Sequence, residues 1–181
     1  LLTLSRKVHL AYDRIRETGS FSQQGLEGFD LAGKTLGVLG TGRIGRHAIK
    51  MGKGFGMEVV GYDPYPNQEL AGSLGFTYVS LDELLAKSDV LTIHIPYMKA
   101  THHLLNEAAF GKVKKGAYLI NTSRGAVVDT DAMVRALQSG ILGGAGLDVL
   151  EEEGIVKDEL GFLVHGHPNA ETRIPFEDTI S

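Results

Sequence analysis

Short apolar segments and helical patterns of apolar residues alternate along the chain from residue 34 onwards. The apolar segments predict six strands, at residues 35–39, 57–62, 76–79, 89–95, 117–121 and 142–149. Between them, apolar residues recur at intervals of three or four, which predicts helices at residues 43–55, 67–74, 81–87, 106–113 and 131–139. Strands separated by helices of about ten residues are typical of βαβ units, which form parallel sheets covered on both faces. The pattern therefore predicts an α/β fold with a doubly wound parallel sheet.

The first 18 residues precede this alternation and have the pattern of one amphipathic helix. Its apolar stripe contains Leu4, Val8, Ala11 or Tyr12, and Ile15, with charged residues between them. A polar link that contains glycine follows, and at the other end regular periodicity is lost after Val149. We therefore expect three parts: an N-terminal helix and link at 1–33, a sheet domain at 34–153 and an incomplete C-terminal tail at 154–181.

Composition narrows the class of protein. The 18 Lys and Arg residues against 22 Asp and Glu residues leave a net charge of −4, so no overall positive field favours nucleic acid. The absence of cysteine excludes disulfides and cysteine-ligated zinc and fits a reducing cytoplasm, which is the location we expect. No apolar stretch approaches the ~18 residues of a membrane span, so no membrane association is expected. Because the chain begins with Leu1, we expect it to be a piece of a longer protein.

A glycine-rich turn follows the first predicted strand of the sheet domain. Residues 40–45 have the sequence GTGRIG, directly after an apolar strand and at the start of a helix. In this context Gly40 permits a tight turn, Gly42 leaves space for a pyrophosphate, and Gly45 lets the helix pack closely on the strand. The N-terminus of the helix then offers free N–H groups and partial positive charge to phosphates. The sheet is therefore expected to be of the Rossmann type and to bind a dinucleotide.

Asp63 supplies the second half of this dinucleotide fingerprint. It follows the next apolar strand and lies 18 positions after Gly45. A carboxylate at this position accepts hydrogen bonds from the ribose hydroxyls of NAD and repels the 2′-phosphate of NADP. The sequence therefore predicts NAD as the cofactor.

Five motifs in a fixed order make the chain similar to the D-isomer-specific 2-hydroxyacid dehydrogenases, and most of all to their D-lactate dehydrogenase-like branch. The motifs are GTGRIG at 40–45, YDP at 62–64, HIP at 94–96, NTSRG at 121–125 and GLDV at 146–149. The resemblance covers roughly residues 1–153. It implies an NAD-dependent oxidoreductase that transfers a hydride between NAD(H) and a D-2-hydroxy acid/2-keto acid pair. It also implies a homodimer, in which the first helix packs across a two-fold axis.

The resemblance also implies roles for residues that would contact the cofactor. Arg43 and Ile44 correspond to residues beside the pyrophosphate, and Asp63 to the acid that binds ribose. Ile95, Pro96 and Thr101 correspond to residues that line the adenosine side of the cofactor, and Thr122 and Ser123 to residues that contact its nicotinamide half. Asp148 corresponds to the acid that fixes the nicotinamide carboxamide.

Two further residues resemble the catalytic machinery of the family. Arg124 corresponds to the arginine that holds the substrate carboxylate and keto oxygen, a task suited to a permanently charged, planar guanidinium. Glu153, five residues after Asp148, corresponds to the glutamate that pairs with the catalytic histidine. An arginine at the position of Arg124 could instead form a surface ion pair.

The histidine itself has no convincing counterpart in this chain. The family places it in a Pro-His sequence roughly 30 residues after the glutamate, and neither His165 nor His167 has that context. We therefore expect this chain alone to be incomplete for catalysis. We expect His94 to be a structural, hydrogen-bonded histidine and His102 and His103 not to share a metal ion, since adjacent residues cannot act as i, i+4 helical ligands. No metal site is predicted.

Two other functions remain open at this stage. A non-catalytic NAD-binding sensor, similar to corepressors that share this fold, would also need the glycine turn and Asp63. Arg124 and Glu153 favour the dehydrogenase, whereas the missing histidine favours the sensor. Binding of S-adenosylmethionine would use the same glycine turn but would leave Arg124 and Asp148 unexplained.

Overall fold

The structure, a computed structural model, describes residues 1–151 and divides the chain into two compact units. One unit contains residues 1–30, and the other begins at Leu31 and contains the sheet. None of the helices in the described part of the chain has the length and apolar character needed to cross a membrane.

Six parallel strands form one sheet in the order β3-β2-β1-β4-β5-β6. Successive strands are added on one side of β1 up to β3 and on its other side from β4 onwards. This order confirms the predicted doubly wound sheet of the Rossmann type. The central strands β1 and β4 are buried along almost their whole length, as expected for a sheet covered on both faces. The strands are β1 Thr35–Leu39, β2 Glu58–Tyr62, β3 Thr77–Tyr78, β4 Val90–Ile93, β5 Ala117–Asn121 and β6 Leu142–Leu147.

Most of the helices begin at a side chain that caps them. The Ser80 and Glu83 side chains form a reciprocal capping box, and Asn67, Asn106 and Asp129 each accept a hydrogen bond from a backbone N–H in the first turn. These caps fix where helices leave the strand ends. The helices are α1 Leu2–Ser5, α2 Val8–Thr18, α3 Arg43–Gly54, α4 Gln68–Leu74, α5 Leu81–Lys87, α6 Glu107–Phe110 and α7 Thr130–Gln138.

The prediction of one helix over the first 18 residues is wrong, because the helix is interrupted between α1 and α2. The carbonyl oxygen of Ser5 accepts a hydrogen bond from the Phe29 N–H at 2.9 Å, and Gly28 lies directly against the same carbonyl. Lys7 has the left-handed φ of 51° and its ammonium group donates to the Gly25 carbonyl. The Phe29 N–H therefore occupies the Ser5 carbonyl, which a continuous helix would use to accept a bond from the residue four positions later.

The helix predicted at 106–113 is also shorter than expected. After α6 ends at Phe110, the N–H groups of Lys112 and Val113 bond three residues back, to Ala109 and Phe110. The chain therefore tightens into turns instead of continuing as an α-helix.

Helix α3 packs on the sheet through a different face from the one that the sequence predicts. The helical spacing of apolar residues in the sequence predicts that Ile44, Ala48, Met51 and Phe55 share the packed face, but of these only Ala48 is buried. The buried face contains Gly45, Ala48, Ile49 and Gly52. A Cβ atom added at Gly45 would overlap the Gly40 carbonyl oxygen, and one at Gly52 would lie 2.5 Å from the Leu36 side chain. Small residues therefore face the sheet because the helix axis lies close to it.

This close packing gives a test of the fold. Gly45→Ala would place a methyl group on the Gly40 backbone carbonyl, which no rotamer change relieves. We expect a loss of about 2–3 kcal/mol in the free energy of unfolding, measured by urea denaturation. Gly54→Ala is the matched control, since Gly54 lies in the same helix and a Cβ atom added there would have no atom within 4 Å. It should be neutral or stabilising by up to about 1 kcal/mol. Equal stability of the two variants would contradict the packing described for α3.

Candidate functional site

The predicted site residues follow the carboxyl ends of neighbouring parallel strands. In the sheet register, Leu39 of β1 is paired with Tyr62 of β2 and Ile93 of β4, Ile93 with Asn121 of β5, and Asn121 with Leu147 of β6. The residues that leave these strands therefore line one edge in the order Asp63, Gly40, Ile95, Thr122 and Asp148. Open α/β sheets bind ligands at this edge, next to the point where the strand order reverses.

The glycine turn at this edge is shaped by close backbone contacts. Gly40 has a φ of +94°, and an added Cβ would lie 2.7 Å from both the His94 carbonyl oxygen and the Ile95 side chain. Gly42, at the N-cap of α3, has nothing within 4 Å of such a Cβ, so the space above it is open. Among the described residues, no side chain caps α3. The first N–H groups of this helix, including those of Arg43 and Ile44, therefore face an open site that suits an anion.

The carboxylate of Asp63 is held against this turn by hydrogen bonds. Its Oδ2 accepts from the backbone N–H of Thr41 at 2.9 Å and from the Thr41 hydroxyl at 3.1 Å, and its Oδ1 accepts from the Tyr65 N–H at 3.0 Å. The Thr41 hydroxyl also lies 2.7 Å from the Tyr78 hydroxyl. A carboxylate oxygen has about two acceptor positions, so Oδ1 keeps capacity for another donor. Asp63 is thus fixed where the sequence predicts the ribose-binding acid.

One side-chain hydroxyl group joins the loops after β4 and β5, and another closes a turn within the loop after β4. Ser123 donates a hydrogen bond to the Ile95 carbonyl. The Thr101 hydroxyl closes the turn that begins at Pro96, because it donates to the Pro96 carbonyl at 2.9 Å and accepts from the Met98 N–H at 2.8 Å. Both hydroxyls therefore position backbone in this structure, and the predicted cofactor contacts of Ile95, Pro96, Thr101 and Ser123 stay predictions.

Arg124 is presented by a loop that Asn121 folds. The buried Asn121 amide donates to the Arg124 carbonyl at 3.1 Å and accepts from the Ser123 N–H at 3.0 Å. The Arg124 side chain is exposed, and its guanidinium donates to the Ser123 carbonyl at 2.7 Å. Within residues 1–151 it forms no ion pair, so no described carboxylate competes with a substrate carboxylate for it.

Asp148 follows β6 at the far end of the same edge. Its N–H donates to the Asn121 carbonyl at 2.9 Å, which joins it to the loop of Arg124, and its side chain is exposed, as is that of the neighbouring Thr122. Gly125 lies directly against the backbone of Leu150, so there is no room for a side chain between the two segments. Glu153, His165 and His167 lie outside the described residues.

His94 has the structural role that the sequence predicts. Its ring Nε2 lies 3.0 Å from the Thr92 hydroxyl, and its backbone N–H donates to the Leu39 carbonyl at 2.7 Å. Burial lowers the pKa of this imidazole, which favours its neutral form.

Sequence reasoning missed a cluster around His103. His103 Nε2 is hydrogen-bonded to Glu151 Oε1, and Glu151 Oε2 accepts from the Thr130 hydroxyl at 2.9 Å. Burial opposes ionisation of Glu151, but the hydrogen bonds from His103 and Thr130 outweigh it and lower the pKa of the carboxyl. His103 and Glu151 are 48 positions apart, and no spacing rule connects them.

Comparison with known proteins identifies the family. Residues 1–171 match the model of the D-isomer specific 2-hydroxyacid dehydrogenase, NAD binding domain. The chain belongs to this family. A 2-hydroxyacid dehydrogenase homolog of Haemophilus influenzae is 48% identical over 153 residues, which are 84% of this chain and 46% of that protein. A D-lactate dehydrogenase of Escherichia coli is 46% identical over 153 residues, again 84% of this chain and 46% of the relative.

Solved structures agree with the sequence comparison. One of these is the crystal structure of the D-lactate dehydrogenase from Aquifex aeolicus in complex with NAD and lactic acid. This chain superposes on it with a TM-score of 0.83 at 44% identity, and the match covers 92% of this chain and 49% of that protein chain. The resemblance inferred from the five motifs is therefore confirmed, together with the fold and with NAD as the cofactor of the family's domain. The chain spans about half the length of the relatives it matches.

Proposed function

We propose that this chain is the coenzyme-binding part of an NAD-dependent enzyme that transfers a hydride between NAD(H) and a D-2-hydroxy acid/2-keto acid pair. The observation that carries the proposal is the row of residues along one sheet edge, from Asp63 through Gly40 to Asp148, with Arg124 beside it. NADH supplies the hydride when it is bound. The residues of this chain bind the cofactor, orient the nicotinamide and the substrate, and stabilise charge on the substrate.

The phosphate and ribose part of the proposed site fits NAD. Uncapped N–H groups at the start of α3 offer donors to a pyrophosphate, and Arg43 adds positive charge next to them. We propose that Gly40, Gly42, Ile44 and Gly45 shape this part of the site and that Asp63 binds the adenosine ribose. Ile95, Pro96 and Thr101 are proposed to line the adenosine side.

The nicotinamide and substrate part of the proposed site uses the β5 and β6 ends. We propose that Thr122, Ser123 and Asp148 orient the nicotinamide half. Arg124 is proposed to bind the substrate carboxylate and to stabilise charge on the keto oxygen, which suits a guanidinium without an ion-pair partner among the described residues. Glu153 is proposed to support a proton-donating histidine that the described residues do not include.

The non-catalytic sensor is not supported. The relatives reported above are named as dehydrogenases or as homologs of dehydrogenases. Arg124 forms no ion pair with the other residues of 1–151 that would explain it otherwise. The lack of cysteine supports the proposal of a reducing, cytoplasmic location.

The preference for NADH over NADPH tests the role of Asp63. Calorimetric titration of the chain should show tighter binding of NADH. Asp63→Ala should lower the ratio of the affinity for NADH to the affinity for NADPH by about tenfold, because it removes the ribose contact and the repulsion of the 2′-phosphate. Asp63→Asn removes the charge while its amide oxygen can still accept from Thr41, so it separates the loss of the carboxylate from the loss of the bonds that hold the turn. Asp82→Ala, which removes an exposed carboxylate paired with Lys112, is the control. Equal affinity for both cofactors in the wild type would remove Asp63 from the ribose role.

Turnover tests the role of Arg124. The complete protein that contains this chain should reduce pyruvate or larger 2-keto acids with NADH, whereas the chain alone should show no turnover above background. In the complete protein, Arg124→Ala should lower kcat/KM by about 10²–10³-fold, and Arg124→Lys should recover only part of it because a lysine cannot make the bidentate contact. Unchanged kcat/KM in Arg124→Ala would exclude the proposed chemistry.

Exposed apolar residues on two helices support a homodimer. On α2, Val8, Tyr12 and Ile15 are exposed, and Tyr12 keeps 60% of its surface accessible. On α3, Met51 is exposed, on a part of the helix away from the proposed cofactor site. We propose that a second copy of the protein covers these faces, as the family resemblance implies for the first helix.

Light scattering tests this assembly. The wild type should have the mass of a dimer at micromolar concentration, and Ile15→Glu should shift it towards a monomer because a buried charge is unfavourable at an apolar interface. Glu17→Lys changes charge off the stripe of the same helix and should leave the dimer intact. A wild-type monomer at high micromolar concentration would argue against the proposal.

A further inference from the structure

We propose that His103 is a positioning residue that holds the chain after β6 through Glu151 and thereby fixes Asp148 beside the loop of Arg124. The effect on cofactor binding rests on the proposed role of Asp148, whereas the effect on the chain segment itself does not. Four observations support this role.

The backbone of His103 is attached to the segment that follows Arg124. The His103 N–H donates to the Ala126 carbonyl at 2.9 Å, and the Leu105 N–H donates to the Val127 carbonyl at 3.1 Å. The Asp129 N–H returns a bond to the Leu105 carbonyl at 3.0 Å. The position of His103 is therefore set by residues 126–129 and not by its own turn alone.

The side chain of His103 connects this segment to the chain after β6. Nε2 bonds to Glu151 Oε1, while Nδ1 lies 3.9 Å from Asp129 Oδ2. The other oxygen of Glu151 accepts from the Thr130 hydroxyl at 2.9 Å and from the Thr130 N–H at 3.3 Å. Glu151 therefore bridges the imidazole and the first residue of α7. All of these groups are partly buried, so solvent screens them less than a surface pair.

The backbone conformation of His103 indicates that its side chain is held in place. Its φ is +49°, in the left-handed region, and in the described chain only Lys7 is another non-glycine residue with positive φ. Such a conformation is unfavourable for a residue with a Cβ and persists where surrounding contacts determine it. The two hydrogen-bonded anchors of His103, the Ala126 carbonyl and the Glu151 carboxylate, supply those contacts.

Glu151 and Asp148 are close in sequence and are anchored separately. The Asp148 N–H bonds to the Asn121 carbonyl, and three residues later Glu151 bonds to His103 and Thr130. Between the two anchors, the backbone of Leu150 lies against Gly125. If the second anchor is removed, the segment that carries Asp148 keeps its bond to Asn121 and the contact of Leu150 with Gly125 but loses its fixed far end, and the exposed Asp148 carboxylate gains freedom at the site.

The experiment compares two ligands that share every part except nicotinamide. NADH and ADP-ribose are titrated into the chain by calorimetry. For His103→Asn we expect about tenfold weaker NADH binding and less than about twofold change for ADP-ribose, since one charge-assisted anchor is lost. Asparagine is chosen because it tolerates the left-handed backbone conformation. A general loss of stability would affect both ligands alike.

Further variants separate the contact from its surroundings. Glu151→Ala should reproduce the selective effect at least as strongly, because it also removes the bonds to Thr130. The double variant should bind NADH no more weakly than Glu151→Ala alone, as expected for partners in one interaction. His102→Asn is the matched control, because His102 stacks on His103 but, within residues 1–151, forms no hydrogen bond or ion pair with Glu151. It should leave both affinities unchanged.

Amide hydrogen exchange of residues 145–151 gives a readout that needs no ligand. Exchange should become faster in His103→Asn and in Glu151→Ala but not in His102→Asn. Unchanged exchange in both variants overturns the proposal, as does an equal loss of NADH and ADP-ribose affinity. If Asp148→Asn leaves NADH binding unchanged, the role of Asp148 in the proposed function fails. The exchange rates then decide by themselves whether His103 holds the segment.

Discussion

Parallel pairing in a common register is the constraint on which the site depends. Leu39, Tyr62, Ile93, Asn121 and Leu147 form a row of paired strand ends, so the residue after each strand emerges at the same edge. A shift of one strand by two residues would move its loop by about 7 Å, which is more than two hydrogen-bond lengths. The buried central strands resist such a shift, because it would move apolar residues at one strand end out of the core and leave backbone groups without partners in the sheet. The hydrophobic core thus sets the geometry of a polar site.

The strands, most of the helices and the doubly wound parallel sheet could be predicted because the relevant sequence information is local. Apolar runs such as that of β1, and capping residues such as Ser80, report on their own neighbourhood. The errors arose where distant backbone decided the outcome. The first helix breaks because Phe29 bonds to Ser5, and α3 turns its glycines to the sheet because the helix approaches Gly40 too closely for a larger side chain. Hydrophobic periodicity carries no record of either contact.

The same distinction applies to the site. The glycine turn and Asp63 could be predicted because each has a fixed spacing from a strand, and their placement at one edge follows from the fold. The hydrogen bonds that hold them could not be predicted in this way. Tyr78 reaches Thr41 across 37 positions, and His103 reaches Glu151 across 48. Such contacts depend on which loops the sheet brings together, and their residue types also occur on ordinary surfaces.

The two halves of the edge are held by different physical means. On the phosphate side, Gly40 and Gly45 allow backbone to contact backbone, so the shape is set by atoms that cannot change rotamer. On the side of Arg124 and Asp148, one such backbone contact joins Gly125 to Leu150, but side-chain hydrogen bonds from Ser123 and His103 also join loops that the sheet only brings near one another. Steric contact of backbone leaves one arrangement, whereas loops joined by hydrogen bonds can separate at a cost of about 1 kcal/mol per bond. Adjustment on binding is therefore easier on the side where substrate is proposed to bind, while the phosphate side keeps its shape.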